Sequence, residues 1–147
     1  MSKIKLKGLE KVVKELDKTI LIRKDDFSKK HINKDVDIKI AILHEGRVID
    51  SVSTSNLIKG LIVLSNHYLE ELEYLEDVKK VKTKLEKAIR KGAEVEVEKF
   101  TEDSMHMVVR INGNNKYNFY GPSFSDIFKL VENSNKMLEA ELNRTGL

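Results

Sequence analysis

Hydroxyl-bearing residues cluster at two points of the chain where an alternating pattern gives way to a helical one. The first cluster is Ser53-Thr54-Ser55, and the second is Ser123 with Ser125. Backbone N–H groups at the start of a helix attract anions, and Lys59 and Lys116 lie close in sequence to these two starts. One hypothesis is therefore a small anionic ligand such as a nucleotide. The residues assigned to its site are Ser53, Thr54, Ser55, Lys59, Arg110, Lys116, Tyr117, Ser123 and Ser125.

The same hydroxyl groups have a simpler interpretation as helix caps and turn residues, because serine and threonine are among the preferred N-caps. The chain contains neither a GxxxxGK[ST] loop nor a GxGxxG motif. The usual nucleotide-binding loops are therefore excluded.

The N-terminal quarter of the chain is strongly basic. Residues 1–34 contain eleven Lys or Arg and five Asp or Glu residues, a balance of +6, although the whole chain carries only +3. Such a segment can neutralise nucleic-acid phosphates, whereas lysine in a Lys-rich chain can equally serve only to hydrate the surface. Because the chain contains only five arginines, specific reading of bases is not expected. The residues assigned to nucleic-acid contact are Lys3, Lys5, Lys7, Lys11, Lys14, Arg23, Lys24, Lys29 and Lys30.

Aromatic residues concentrate in the last third of the chain, beside Arg110 and Lys116. Exposed rings next to basic side chains would form a platform on which single-stranded bases stack. The alternative is that half of these rings fill the core between a sheet and a helix. The group consists of Phe100, Tyr117, Phe119, Tyr120, Phe124 and Phe128.

The sequence gives little support for metal binding or catalysis. Its four histidines show no metal-type spacing, it has no GxSxG motif, and the lack of cysteine excludes a thiolate zinc site or a cysteine nucleophile. Three acids share one strand face and are expected to face cations across the sheet, such as Lys39, Arg47 or Arg110. These acids are Glu94, Glu96 and Glu98. We therefore assign no catalytic residue, no metal and no cofactor.

Strands are predicted where apolar and polar residues alternate. Residues 36–42 and 47–52 flank the turn His44-Glu45-Gly46, which predicts a hairpin with Gly46 at positive φ. Residues 94–100, 105–109 and 116–120 predict a three-stranded meander. Ser123 and Asp126 form a capping box that opens a C-terminal helix extending to Asn143.

A long helical pattern runs from Ser55 to Gly92, but its apolar face changes direction along the way. A straight helix of that length would measure about 55 Å, whereas a domain of this size is about 38 Å across. We therefore predict a kink near Glu73–Asp77, with Asp77 capping the second half. The narrow apolar seam of that half is expected to pack against a second copy of the chain, through Val78, Val81, Leu85 and Ile89.

Together these elements predict an α+β protein, in which an antiparallel sheet, made of the hairpin and the meander, is packed by the kinked central helix and the C-terminal helix. Residues 1–34 are interpreted as a basic N-terminal helix-and-loop appendage, and residues 35–147 as a single α+β domain. Because the sequence has no apolar run of membrane-spanning length and no signal-peptide core, we expect a cytoplasmic protein and no membrane partner.

The pattern as a whole favours a non-enzymatic interaction or regulatory protein that binds a protein partner and forms a homo-oligomer. Its Lys-, Ile- and Asn-rich composition is typical of small regulators and inhibitors in low-GC bacteria and their phages. Nucleic-acid association and the binding of a small anion remain as alternatives.

Overall fold

Six antiparallel strands form one sheet, and the helices pack on one of its faces. The structure is a computed structural model and describes residues 6–25, 37–69, 82–111, 115–134 and 136–139. In these residues the elements are α1 (Lys7–Lys14), β1 (Thr19–Lys24), β2 (Ile38–His44), β3 (Arg47–Thr54), α2 (Leu57–Asn66), α3 (Lys84–Arg90), β4 (Glu94–Thr101), β5 (Ser104–Ile111), β6 (Asn115–Gly121) and α4 (Phe124–Glu132). The strand order is β3-β2-β1-β4-β5-β6, and every neighbouring pair is antiparallel. The predicted α+β class with an antiparallel sheet is confirmed.

Period-two alternation places the large apolar side chains of the strands on a single face. In β1, Ile20 and Ile22 are fully buried, whereas Leu21 and Arg23 lie on the opposite face. The same alternation buries Ile38, Ile40, Ile42, Val95, Val97, Met105, Met107 and Val109. The helices pack their own apolar stripes against this face, so the core is one layer between the sheet and the helices.

The first hairpin has the predicted turn. Glu45 and Gly46 both adopt positive φ, +52° and +80° respectively, as a two-residue type I′ turn requires. The connection between β5 and β6, at residues 112–114, lies outside the described residues. Its two strands pair in register from Met105 with Gly121 to Ile111 with Asn115.

The region of the predicted central helix contains two helices in the described residues, α2 and α3. The first begins after Asn56, whose side chain accepts a hydrogen bond from the Lys59 N–H, and ends at Asn66. The second begins after Thr83, whose hydroxyl accepts from the Glu86 N–H at 2.8 Å. The predicted kink near Glu73–Asp77 lies outside the described residues.

The C-terminal helix opens as predicted and ends earlier than predicted. The Ser123 hydroxyl accepts from the Asp126 N–H at 3.1 Å, so the N-cap of the predicted capping box is confirmed, and it donates to the Asp126 carboxylate at 2.7 Å. The helix ends at Glu132 rather than at Asn143, and a further helical turn follows at 136–139.

The described part of the basic N-terminal segment belongs to the core, so the predicted boundary between residues 34 and 35 does not separate an appendage from a domain. β1 lies in the interior of the sheet, between β2 and β4. α1 buries Leu9, Val12 and Val13 completely. The lysines suggested a solvent-exposed appendage. In both elements, however, they lie beside the apolar positions and do not replace them, so the apolar side chains still enter the core.

The predicted oligomer seam also needs correction. Leu85 and Ile89 are fully buried, because α3 packs against β1 and α4 of the same chain. These two side chains are therefore covered without a second copy. Val78 and Val81 lie outside the described residues.

Candidate interaction surface

The sheet has a second face, opposite the helices, which we call the open face. It is defined by the strand residues whose side chains alternate with those that face the helices, together with the exposed ring of Phe100. The set comprises Leu21, Arg23, Lys39, Ala41, Ser51, Ser53, Glu94, Glu96, Glu98, Phe100, His106, Val108, Arg110, Lys116, Asn118 and Tyr120.

Three rings cluster at one corner of the open face, and we call Phe100, His106 and Tyr120 the aromatic corner. The His106 and Tyr120 rings are stacked, with centroids 4.6 Å apart and planes 7° from parallel. The Phe100 ring lies 4.8 Å from Tyr120 and 6.4 Å from His106. Phe100 is 59% exposed and Tyr120 is 47% exposed. The corner is therefore a preformed patch of ring surface in contact with solvent.

Polar contacts hold His106 in place within this corner. Its Nε2 lies 2.8 Å from the Asn118 side-chain oxygen, and its Nδ1 lies 3.4 Å from the Glu98 carboxylate. Because Glu98, His106 and Tyr120 are neighbours across β4, β5 and β6, the strand register brings these groups together. The imidazole is thus oriented on both sides, which fixes the ring on which Tyr120 stacks.

Charges of both signs occupy the rest of the open face. Arg110 lies 3.4 Å from Glu96 and is the register partner of Glu94. This agrees with the expectation that the acids of β4 face a cation across the sheet. Arg23 pairs in register with Lys39 at the other side of β4. The acidic side chains of β4 therefore lie between Arg110 on one side and Arg23 with Lys39 on the other.

The helix starts that were predicted to bind an anion are already occupied by carboxylates of the chain itself. Glu86 accepts a hydrogen bond from the Leu57 N–H at 3.0 Å, at the start of α2. Glu10 accepts from the Phe124 N–H at 2.9 Å, at the start of α4. The anionic group that these N–H donors attract is thus supplied from within the fold.

The start of α3 follows the same rule, because the Glu132 carboxylate accepts from the Lys84 N–H at 3.0 Å and from the Leu85 N–H at 3.3 Å. Each of these three helices is therefore capped by an acid from another helix. We call Glu10, Glu86 and Glu132 the cross-helix caps.

The predicted anion-site residues do not converge. α2 follows β3 and α4 follows β6, and these strands are the opposite edges of the sheet. With neighbouring strands about 4.8 Å apart, five spacings separate the two edges by about 24 Å. Arg110 and Lys116 do come together, as register partners on the open face.

The other members of the predicted anion site are engaged locally or lie elsewhere. Ser53 donates to the Asp25 carboxylate at 2.9 Å, and Thr54 donates to the Asn56 carbonyl at 2.9 Å. Tyr117 is the register partner of Val109 and so lies on the helix-covered face. The remaining members, Ser55, Lys59, Ser123 and Ser125, lie at the two separated helix starts. A single anion site built from the predicted set is therefore not formed.

The predicted nucleic-acid residues are divided between the two sides of the sheet. Lys7, Lys11 and Lys14 belong to α1, on the helix side, and the Lys14 ammonium donates to the Pro122 carbonyl. Arg23 lies on the open face, and Lys24, its neighbour in β1, alternates to the opposite face. The other four, Lys3, Lys5, Lys29 and Lys30, lie outside the described residues.

A charged network joins α3 to the start of α2. Arg90 lies 2.6 Å from Glu86 and 2.8 Å from Asp37, and also donates to the Ser55 carbonyl. Burial by itself lowers the pKa of the Arg90 guanidinium, but the hydrogen bonds to Glu86 and Asp37 outweigh this effect and raise the pKa above its ordinary value. The network therefore holds its charge and acts as a structural clamp.

A second polar cluster ties the end of α2 to β3. His67 Nδ1 lies 2.8 Å from the Asp50 carboxylate, whose other oxygen accepts from the Ser51 N–H. Burial raises the pKa of Tyr68, and the charge of Asp50 and a hydrogen bond with it raise it further. The neutral phenol is thus the form that the fold favours. Sequence patterns gave no signal for this cluster, because its residues come from two elements.

Among the described residues, no three His, Asp or Glu side chains lie close enough together to hold a metal ion. In the same part of the chain, no helix is long and apolar enough to cross a membrane.

Comparison with known proteins gives no family model, no curated protein and no solved structure that matches the chain. The surface of the chain is therefore the source of evidence for a function.

Proposed function

We propose that the protein is a non-enzymatic interaction protein that binds another protein through the open face of its sheet. The aromatic corner is the observation that carries this proposal. Tyrosine and other aromatic residues are enriched where protein interfaces gain most of their binding energy. A protein that covers a surface of its partner in this way can act as an inhibitor or a regulator.

The rigidity of the corner supports this function. Phe100, His106 and Tyr120 come from three adjacent strands, and their rings already contact one another before any partner binds. A preorganised contact surface loses little conformational freedom on association. The exposed rings therefore offer binding area at a small entropic cost.

The charges on the open face favour a protein over a polyanion. Glu94, Glu96 and Glu98 run along β4 in the middle of the sheet, so a nucleic-acid backbone laid across this face would meet acidic side chains. A protein surface can match charges of both signs, and such matching fixes the orientation of a complex.

Single-stranded nucleic acid is the second candidate, because the face combines exposed rings with basic side chains. Arg110 and Lys116 lie on the two strands that also carry His106 and Tyr120. Bases stack on aromatic rings with little dependence on sequence, while basic groups follow the backbone. This candidate predicts binding that weakens steeply as salt is added.

Affinity capture from a lysate of the source organism tests the proposal when three baits are compared in parallel. The wild-type chain should retain a specific protein, and a chain carrying Phe100→Ser and Tyr120→Ser should lose it. Leu130→Ser is the matched control, since Leu130 is 48% exposed but lies on α4, away from the open face. The control should retain the same protein.

Two results would contradict the proposal. Equal capture by all three baits would place the binding surface elsewhere. Loss of the captured material after nuclease treatment, together with direct binding of a single-stranded oligonucleotide by wild-type protein but not by the double variant, would favour the nucleic-acid candidate.

A further inference from the structure

The proposed function uses the open-face side chains of β6, including Tyr120, but not the backbone groups along the outer edge of that strand. Its inner side pairs with β5 in unbroken register, from Met105 with Gly121 to Ile111 with Asn115. Within the described residues, no strand pairs with the outer side. An edge strand of this kind presents a row of backbone N–H and C=O groups to which another strand can add.

The two edges of the sheet are not equally suited to the addition of another strand. At the other edge, the register of β3 shifts between Ile42 and Leu43 of its neighbour β2, and β3 carries both Arg47 and Asp50. Irregular register and edge charges are features that discourage further pairing. By contrast, β6 is regular, and Lys116 is its only charged residue.

The sequence of β6 is complementary to itself when read antiparallel. If Asn118 faces Asn118 of a second copy, Lys116 faces Tyr120 of that copy on the open face. On the other face, Tyr117 faces Phe119 of that copy. The first pair brings a cation to an aromatic ring, the second is an aromatic cross-strand pair, and two-fold symmetry forms each pair twice.

The exposure of Tyr117 supports this arrangement. Tyr117 lies on the helix-covered face, as the register partner of Val109, yet it remains 37% exposed. Phe119, two residues along, is only partly buried against the core. A second copy at this edge would cover both rings.

We propose that two copies of the chain pair antiparallel through β6, about a two-fold axis at Asn118, and so join their sheets into one continuous sheet. This interface takes the place of the predicted seam, whose Leu85 and Ile89 are buried within the chain. It does not require another protein to bind the open face, although Tyr120 belongs to both surfaces.

Disulfide trapping tests the register directly, because the chain contains no cysteine. Directly opposed residues in an antiparallel pair have Cα atoms about 4.5 to 5.5 Å apart, within the range of a disulfide. Asn118→Cys should form a covalent dimer readily under mild oxidation. Ser51→Cys, exposed on β3 at the opposite edge, is the matched control and should stay monomeric. Equal cross-linking of both variants, or faster cross-linking of Ser51→Cys, would overturn the proposal.

A charge exchange provides an independent test in solution. Tyr120→Lys would place two lysines opposite each other at both symmetric positions, and should weaken the dimer about tenfold in sedimentation equilibrium. Adding Lys116→Glu to the same chain should restore the dimer, because each lysine then faces a glutamate. A wild-type monomer at every concentration, or a double variant no tighter than Tyr120→Lys, would contradict the pairing.

Discussion

The two faces of the sheet differ in how far their exposed or hydrogen-bonding groups are already engaged within the chain. On the helix-covered side, each of the starts of α2, α3 and α4 is closed by a carboxylate from another helix. On the open face, the rings of Phe100 and Tyr120 remain exposed. The difference indicates that the helix layer is internally satisfied, whereas the open face holds contact area that the fold itself does not use.

The largest effect is expected from removing residues 1–34, which would separate the two halves of the sheet. The deletion takes away β1 and α1, with the buried side chains of Leu9, Val12, Ile20 and Ile22. Burial of each such side chain contributes about 1.5–3 kcal/mol, and a domain is stable by only about 5–15 kcal/mol. We expect no cooperative unfolding transition by circular dichroism. A shortened chain that still unfolds cooperatively would show that β1 is dispensable.

A smaller but still large effect is expected at Glu86, the most buried of the cross-helix caps. Glu86 is 2% exposed and bonds both Arg90 and the Leu57 N–H. Glu86→Ala should lower the free energy of unfolding by about 3 kcal/mol, because it leaves a guanidinium and a buried N–H without this acceptor. Urea denaturation provides the measurement.

Glu86→Gln is the control for that change, since the amide oxygen can still accept from Leu57. Its loss of stability should be clearly smaller than that of the alanine variant. Equal losses in the two variants would indicate that packing, rather than the cap, accounts for the role of Glu86.

The cap at α3 should contribute less. Glu132→Ala removes the acceptor of the Lys84 and Leu85 N–H groups and should cost about 1 kcal/mol. Glu102→Ala changes an exposed acid in the β4–β5 turn and serves as the control, with an expected change near zero. If the two variants unfold at the same urea concentration, the long-range capping of α3 makes no net contribution.

The smallest change in stability is expected on the open face. Phe100→Ser and Tyr120→Ser should each alter the free energy of unfolding by no more than about 0.5 kcal/mol, as is usual for exposed positions. The same denaturation series measures this directly. A loss comparable to that of Glu86→Ala would mean that the aromatic corner is a part of the core, and the contrast between the two faces would fail.

Local patterns in the sequence predicted the features that depend on neighbouring residues. These features are the alternation of the strands, the positive φ at Gly46 and the N-cap contact of Ser123 with Asp126, and each involves residues within a few positions of one another. Alternation along β5 likewise accounts for the position of His106 on the face opposite Met105 and Met107.

Long-range features were missed for a physical reason. The cross-helix caps join residues 29, 48 and 114 positions apart, and no periodicity reports such a pairing. The position of β1 inside the sheet depends in the same way on its pairing with β4. The seam at Leu85 and Ile89 was assigned to a second copy because its covering elements, β1 and α4, are also distant in sequence.

Hydrogen–deuterium exchange on the chain alone and in complex with the captured protein tests most directly whether the open face is the binding surface. We expect new protection in β4, β5 and β6, centred on Phe100, His106 and Tyr120, with little change in α1 and α2. Protection confined to the helices, with the three strands unchanged, would contradict it.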